Sequence, residues 1–148
     1  MAPATTAALT NFGEVTISPG DGCQLSRDDG AADAVAPGQL LVTVANETEE
    51  VAAVEFFKLE GHSFDDLTTH VTQEVDLAEQ GEPFIGPPSW ARFVSEGTGL
   101  LAAGESKDVV IDGSRPGDYG IVCFRPYPKV TDSPVRPFAA VGPFTVGE

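Results

Sequence analysis

Several things are scarce in this chain of 148 residues. Its single methionine is Met1, and it has two cysteines, two histidines, one tryptophan and three lysines. No stretch approaches the roughly 18 consecutive apolar residues that a membrane-crossing helix needs, so no transmembrane segment is expected. The dinucleotide and phosphate loops, the Gly-X-Ser-X-Gly elbow and the His-Glu-X-X-His zinc motif are all missing. No enzyme class is therefore indicated, and the expectation is a protein that is not an enzyme. Basic charge is scarce as well. Eight Lys and Arg stand against 23 Asp and Glu, for a formal net charge of −15. Such a surface repels phosphate backbones, which excludes nucleic acid as an expected partner. It suits high solubility or a basic docking partner.

What is present fits one domain with one core. Apolar residues make up 41% of the chain, and 16 Gly and 12 Pro are spread along it. That pattern suggests many short strands joined by turns. Residues 1–12 read as a flexible N-terminal segment and 13–148 as the single domain. The small polar start, with neither a basic nor an apolar region, is not an intact signal peptide. It resembles the stretch that follows a removed signal or lipid anchor, so an extracellular, periplasmic or cell-surface location is expected.

Alternating or β-branched runs at 14–18, 39–46, 51–59, 106–112, 119–124 and 138–146 predict strands, with shorter pieces at 23–25 and 92–95. Ser63 is a good helix N-cap, and Asp65 and Asp66 follow in the first turn, where the helix dipole favours anions. Leu67, Val71, Val75 and Leu77 keep helical spacing, so a short helical insertion is expected around 63–79. Strands punctuated by turns, with one helix, predict an all-β antiparallel Greek-key sandwich.

The order of these segments resembles the cupredoxin family, the blue-copper β-sandwich, and more narrowly its secreted members. The resemblance covers nearly the whole chain. It rests on the strand from Gly38 to Asn46, the strand ending Lys58-Leu59, the turn Ala102-Ala103-Gly104-Glu105, and Pro116-Gly117-Asp118-Tyr119 leading to Cys123-Phe124-Arg125-Pro126. It closes with Pro143-Phe144-Thr145-Val146. The resemblance implies a type 1 copper site of two imidazoles and one thiolate with a weak axial Met. Only the thiolate position, Cys123, is kept. The first histidine position falls at Ala52, the second at Val135 and the axial Met at Ala140, none of which can bind a metal. A cupredoxin-like domain with a degenerate copper site and no cofactor is therefore expected.

Three roles remain open for Cys123. It pairs with Cys23 in a disulfide, or both are buried free thiols, or Cys123 is reactive or still binds a metal. The two histidines are eight residues apart, about 12 Å along a continuous helix, too far for the adjacent-turn pair that binds zinc. The alternative to a binding or structural module is a copper-binding electron carrier with a non-standard ligand set, for which Cys123 and His62 are the weak candidates. The partner of a binding module is an unidentified protein or small molecule. Its surface is expected in the loops 47–52, 84–92 and 125–138, with Trp90, Tyr127 and Phe138 as candidate contacts.

Overall fold

The computed structural model describes residues 9–27, 35–131 and 133–147. Among these residues, eight strands form two four-stranded sheets. The first sheet contains β1 (Leu9–Ser18), β2 (Gly22–Arg27), β3 (Gly38–Asn46) and β6 (Ser106–Gly113), in the order β2-β1-β3-β6. The second contains β4 (Ala53–Leu59), β5 (Ala91–Phe93), β7 (Gly117–Arg125) and β8 (Arg136–Val146), in the order β5-β4-β7-β8. Pairing is antiparallel except between β1 and β3, which run parallel, so the first sheet is mixed. Gly20 and Asp21, both at positive φ, make the tight turn from β1 to β2; glycine and aspartate tolerate that region best.

The period-two alternation of the strands builds the core. Val15, Ile17, Leu40, Val42, Val44, Val109 and Ile111 point inward from the first sheet. Val54, Phe56, Tyr119, Ile121, Cys123, Phe144 and Val146 meet them from the second. Each aliphatic side chain so buried contributes on the order of 1.5–3 kcal/mol. Tyr119 is fully buried, and its hydroxyl donates to the Arg115 carbonyl 2.6 Å away. That bond satisfies the one polar atom the ring carries inside, in the manner of a tyrosine corner.

The segment 1–12, expected to be flexible, divides. Residues 9–12 are already strand, because Phe12 is buried and its ring packs 4.6 Å from that of Phe144. Residues 1–8 lie outside the described residues.

The second sheet is buried on both faces. Its outer face carries Ala53, Phe57, Leu59, Val122 and Phe124, and helix α1 (Phe64–Glu79) lies across them through Leu67 and Val71. Ser63 caps the helix reciprocally with Asp66, and the hydrogen bond from the Ser63 backbone N–H, with a smaller contribution from His62, holds the Asp66 carboxyl below its usual pKa. Gly120 lets the helix come close, since a Cβ there would stand 2.5 Å from Leu67 Cδ2.

The buried stripe of α1 differs from the expected one. It runs Leu67, Val71, Glu74, Ala78, while Val75 and Leu77 are only half-buried. Glu74 is fully buried because its carboxylate accepts the backbone N–H groups of Ile85 and Gly86, each at 3.1 Å. The helix thereby holds the Pro-rich loop 82–90 against the sheet. Hydrogen bonds to a charged acceptor are worth about 1.5–3 kcal/mol each. Glu74→Ala should therefore lower unfolding stability by about 2–3 kcal/mol in a urea titration, and Glu74→Gln by less.

Candidate functional site

One end of the sandwich gathers the β1–β2 turn, the loop after β3, the end of β7 and the start of β8. Asn46 organises this end. Its side-chain amide donates to the carbonyls of Glu50 (2.8 Å), Leu101 (3.2 Å) and Ala102 (3.1 Å). Its carbonyl accepts from the Thr48 N–H and hydroxyl. One buried asparagine thus fixes the turn 47–50 and ties it to the chain at Leu101, to which Ala52 is bridged by two backbone hydrogen bonds. Asn46 was legible in sequence only as a strand end; its burial at the head of a long turn is what gives it this role.

At this end Cys23 on β2 is bonded to Cys123 on β7, closing a loop with a sequence separation of 100 residues. The bond joins the two sheets, because β2 belongs to the first and β7 to the second. Cys123 is fully buried. Of the three roles left open by the sequence, the structure takes the disulfide.

The four positions that the resemblance assigns to a copper site do not converge. Ala52 is buried in the same core cluster as Cys123. Val135 and Ala140 pack instead against the cluster beneath α1, on the other face of the second sheet. The residue of β8 opposite Cys123 is Ala139, while Ala140 lies opposite Val122. A one-residue offset in a strand moves a side chain to the opposite face, and β8 is irregular in register between Cys123 and Phe124. Phe138 and Ala139, with Val141, Phe144 and Val146 further along β8, pack on the sulfur's side of the sheet.

The two histidines lie elsewhere. His62 stacks on Trp90 with ring centroids 4.4 Å apart, and its Nδ1 is 3.0 Å from Asp66 Oδ2. His70 Nε2 is 3.6 Å from Glu74 Oε2. Trp90 directly precedes Ala91, which faces Leu59, whereas Cys123 faces Val54. Those two positions on β4 are five residues apart, about 17 Å at ordinary strand rise. His62 and Cys123 therefore sit at opposite ends of the sheet. A type 1 copper ion takes two imidazoles and a thiolate. Here the sulfur is in a disulfide and its neighbours are aliphatic or aromatic, so the residues present do not fit that ion. No group of three or more His, Cys, Asp and Glu able to hold a metal occurs among the described residues.

The candidate contact aromatics are also separated. Phe138 lines a groove of about 750 Å³ at the disulfide end, together with Ile17, Pro19, Val51, Ala52 and Pro126. Glu47, Glu49 and Glu50 give that groove an acidic rim. Tyr127 is buried, with its hydroxyl donating to the Pro137 carbonyl at 2.7 Å, and desolvation pushes its pKa up to about 12. Arg125 lies over the Tyr127 ring, 3.9 Å from its centroid, and forms an ion pair with Asp21 across the groove. Trp90 is at the far end of the sheet, on His62.

No protein-family model matches the chain, and no curated protein does. Solved structures do. Auracyanin A, a "blue" copper protein from the green thermophilic photosynthetic bacterium Chloroflexus aurantiacus, superposes with a TM-score of 0.51 at 10% identity, over 95% of this chain and 100% of that one. The fold is cupredoxin-like. Auracyanin B matches at 20% identity and a TM-score of 0.46, over 99% of this chain and 94% of that one. The reduced auracyanin of Roseiflexus castenholzii matches at 17% and 0.42, over 82% and 86%. Within this cupredoxin-like fold, Cys123 occupies the end of a central strand and meets a second cysteine.

In the loop-closure description, a bridge over about 100 residues stabilises by roughly 4–5 kcal/mol, and removing such bonds typically costs about 2–5 kcal/mol. The double variant Cys23→Ser, Cys123→Ser should therefore melt about 5–15 °C below the parent by circular dichroism, at ~2–4 °C per kcal/mol for a chain of this size. Adding a reductant to the parent should give a shift of the same sign.

Proposed function

We propose that this chain is a non-enzymatic, extracytoplasmic binding module that uses the cupredoxin-like sandwich as a rigid frame. One observation carries the reading: the sulfur that a blue-copper site would need as thiolate is bonded to Cys23. A thiolate is the metal-binding form of cysteine, and a buried disulfide withdraws it. The same bond supports a location outside the reducing cytosol, where disulfides persist. No helix is long and apolar enough to cross a membrane among the described residues.

The surface best suited to recognition is the groove at the disulfide end. Its loops stand on a frame fixed by the Asn46 hydrogen bonds and by the sheet-to-sheet bridge, and loops on a rigid frame are where such folds place recognition. The apolar floor supplied by Ile17, Val51, Ala52 and Phe138, with carboxylates at the rim, suits a partner that presents an apolar contact flanked by basic groups. The net charge of −15 favours the approach of such a partner, most strongly at low ionic strength.

A copper titration separates this reading from an electron carrier. Cu(II) added to protein kept oxidised should give no intense thiolate-to-copper absorption band. An intense band with stoichiometric uptake would defeat the binding-module reading and favour electron transfer.

A further inference from the structure

A second cavity lies on the other face of the second sheet, between β4, β5, β7, helix α1 and the loop 82–90. Its volume is about 170 Å³. A cavity of about 150 Å³ already admits a benzene-sized guest. Phe57, Phe93, Leu67, Val71, Val122 and Phe124 are among the apolar residues of its wall. Phe84 and Phe93 are 38% and 49% exposed while lining it, so the cavity opens to solvent.

Three ionisable side chains also line this cavity: Glu55, His70 and Glu74. They are not equivalent. Glu74 is spoken for by two backbone N–H groups and by His70 beside it. Glu55 lies on the same face of β4 as Ala53 and Phe57, opposite Val122. It makes no hydrogen bond or ion pair among the described residues, and burial raises its carboxyl pKa. Glu55 is half-buried, and a partly desolvated carboxylate in an apolar wall gains from a cationic partner. The rings of Phe57 and Phe93, 4.7 Å apart and tilted by 44°, stand on the same wall, and aromatic faces attract cations.

We propose that this cavity binds a small organic ammonium ion, its apolar group against Phe57, Phe93 and Val71 and its nitrogen on the Glu55 carboxylate. The volume limits the guest to about one aromatic ring with a short arm, or an alkyl amine of similar size. An anionic guest would meet Glu55 directly, and a neutral one would leave it unpaired. This site is separate from the groove at the disulfide end, and it stands whether or not that groove has a partner.

The test is a titration followed by two-dimensional NMR with three probes of similar shape: benzylammonium, benzyl alcohol and benzoate. Benzylammonium should bind about tenfold more tightly than benzyl alcohol, the gain expected from a partly desolvated charge pair with an aromatic neighbour. Benzoate should bind most weakly. Shifts should centre on Phe57, Val71, Phe93 and Val122. In Glu55→Gln, benzylammonium and benzyl alcohol should bind equally. In Val71→Phe, which fills the cavity, neither should bind; Glu55→Gln, which keeps the size of the side chain, decides the matter if Val71→Phe does not fold. Equal binding of ammonium and alcohol to the parent, retained preference in Glu55→Gln, or no shift with any probe would overturn the proposal.

Discussion

The bond between Cys23 and Cys123 is the constraint on which the disulfide end depends. It joins two strands from different sheets, so it clamps the sandwich shut where loops would otherwise let the layers part. It also decides the chemistry of that end. A sulfur can be a metal ligand or half of a disulfide, but not both at once. Once the bond is made, the space beside it needs no imidazoles, and Ala52, Phe138 and Ala139 fill it with apolar surface. The Asn46 hydrogen bonds then keep the turn 47–50 in place on a frame that the disulfide holds fixed.

The two faces of the second sheet serve different ends. Its inner face carries the sandwich core and Cys123. Its outer face would be an exposed apolar surface if α1 did not cover it. Covering it with a single helix leaves a gap beyond the helix's flank, which the loop 82–90 only partly closes. That loop is held by Glu74, a carboxylate buried in the helix's apolar stripe. The cavity, the carboxylate of Glu55 and the exposed rings of Phe84 and Phe93 all follow from that incomplete cover. The fold thus offers two separate recessed sites, one acidic at its rim and one acidic in its wall.

Much of this architecture was legible in the residues. Ser106-Lys107-Asp108-Val109-Val110-Ile111 alternates as a half-buried strand must, and Ser63 with Asp66 writes a capping box at the helix start. The ordered pieces from Gly38 to Val146 carried the resemblance to cupredoxins, and the fold agrees with it. Features that depend on long-range partners were less legible. The start of β1 at Leu9 depends on Phe12 reaching Phe144, a contact no local pattern announces. The burial of Glu74 was not legible because the N–H groups that satisfy it come from a loop 11 and 12 residues downstream; the local signal was its place between Val71 and Ala78 on the buried stripe. Val135 and Ala140, the positions that the resemblance gives to copper ligands, lie on the other face of the second sheet: Ala140 pairs with Val122 and not with Cys123, and Val135 precedes β8. The pairing of Cys23 with Cys123 could not be chosen from two cysteines alone, since a bond needs their strands brought together across the sandwich.

The sulfur of Cys123 is held in a covalent bond across the two sheets and is not a ligand. The most direct test is peptide mapping by mass spectrometry, with the protein purified without reductant, alkylated while unfolded and digested without reduction. One linked pair of peptides, containing Cys23 and Cys123, is expected, with no alkylated cysteine. Recovery of both cysteines as alkylated thiols in separate peptides would contradict it.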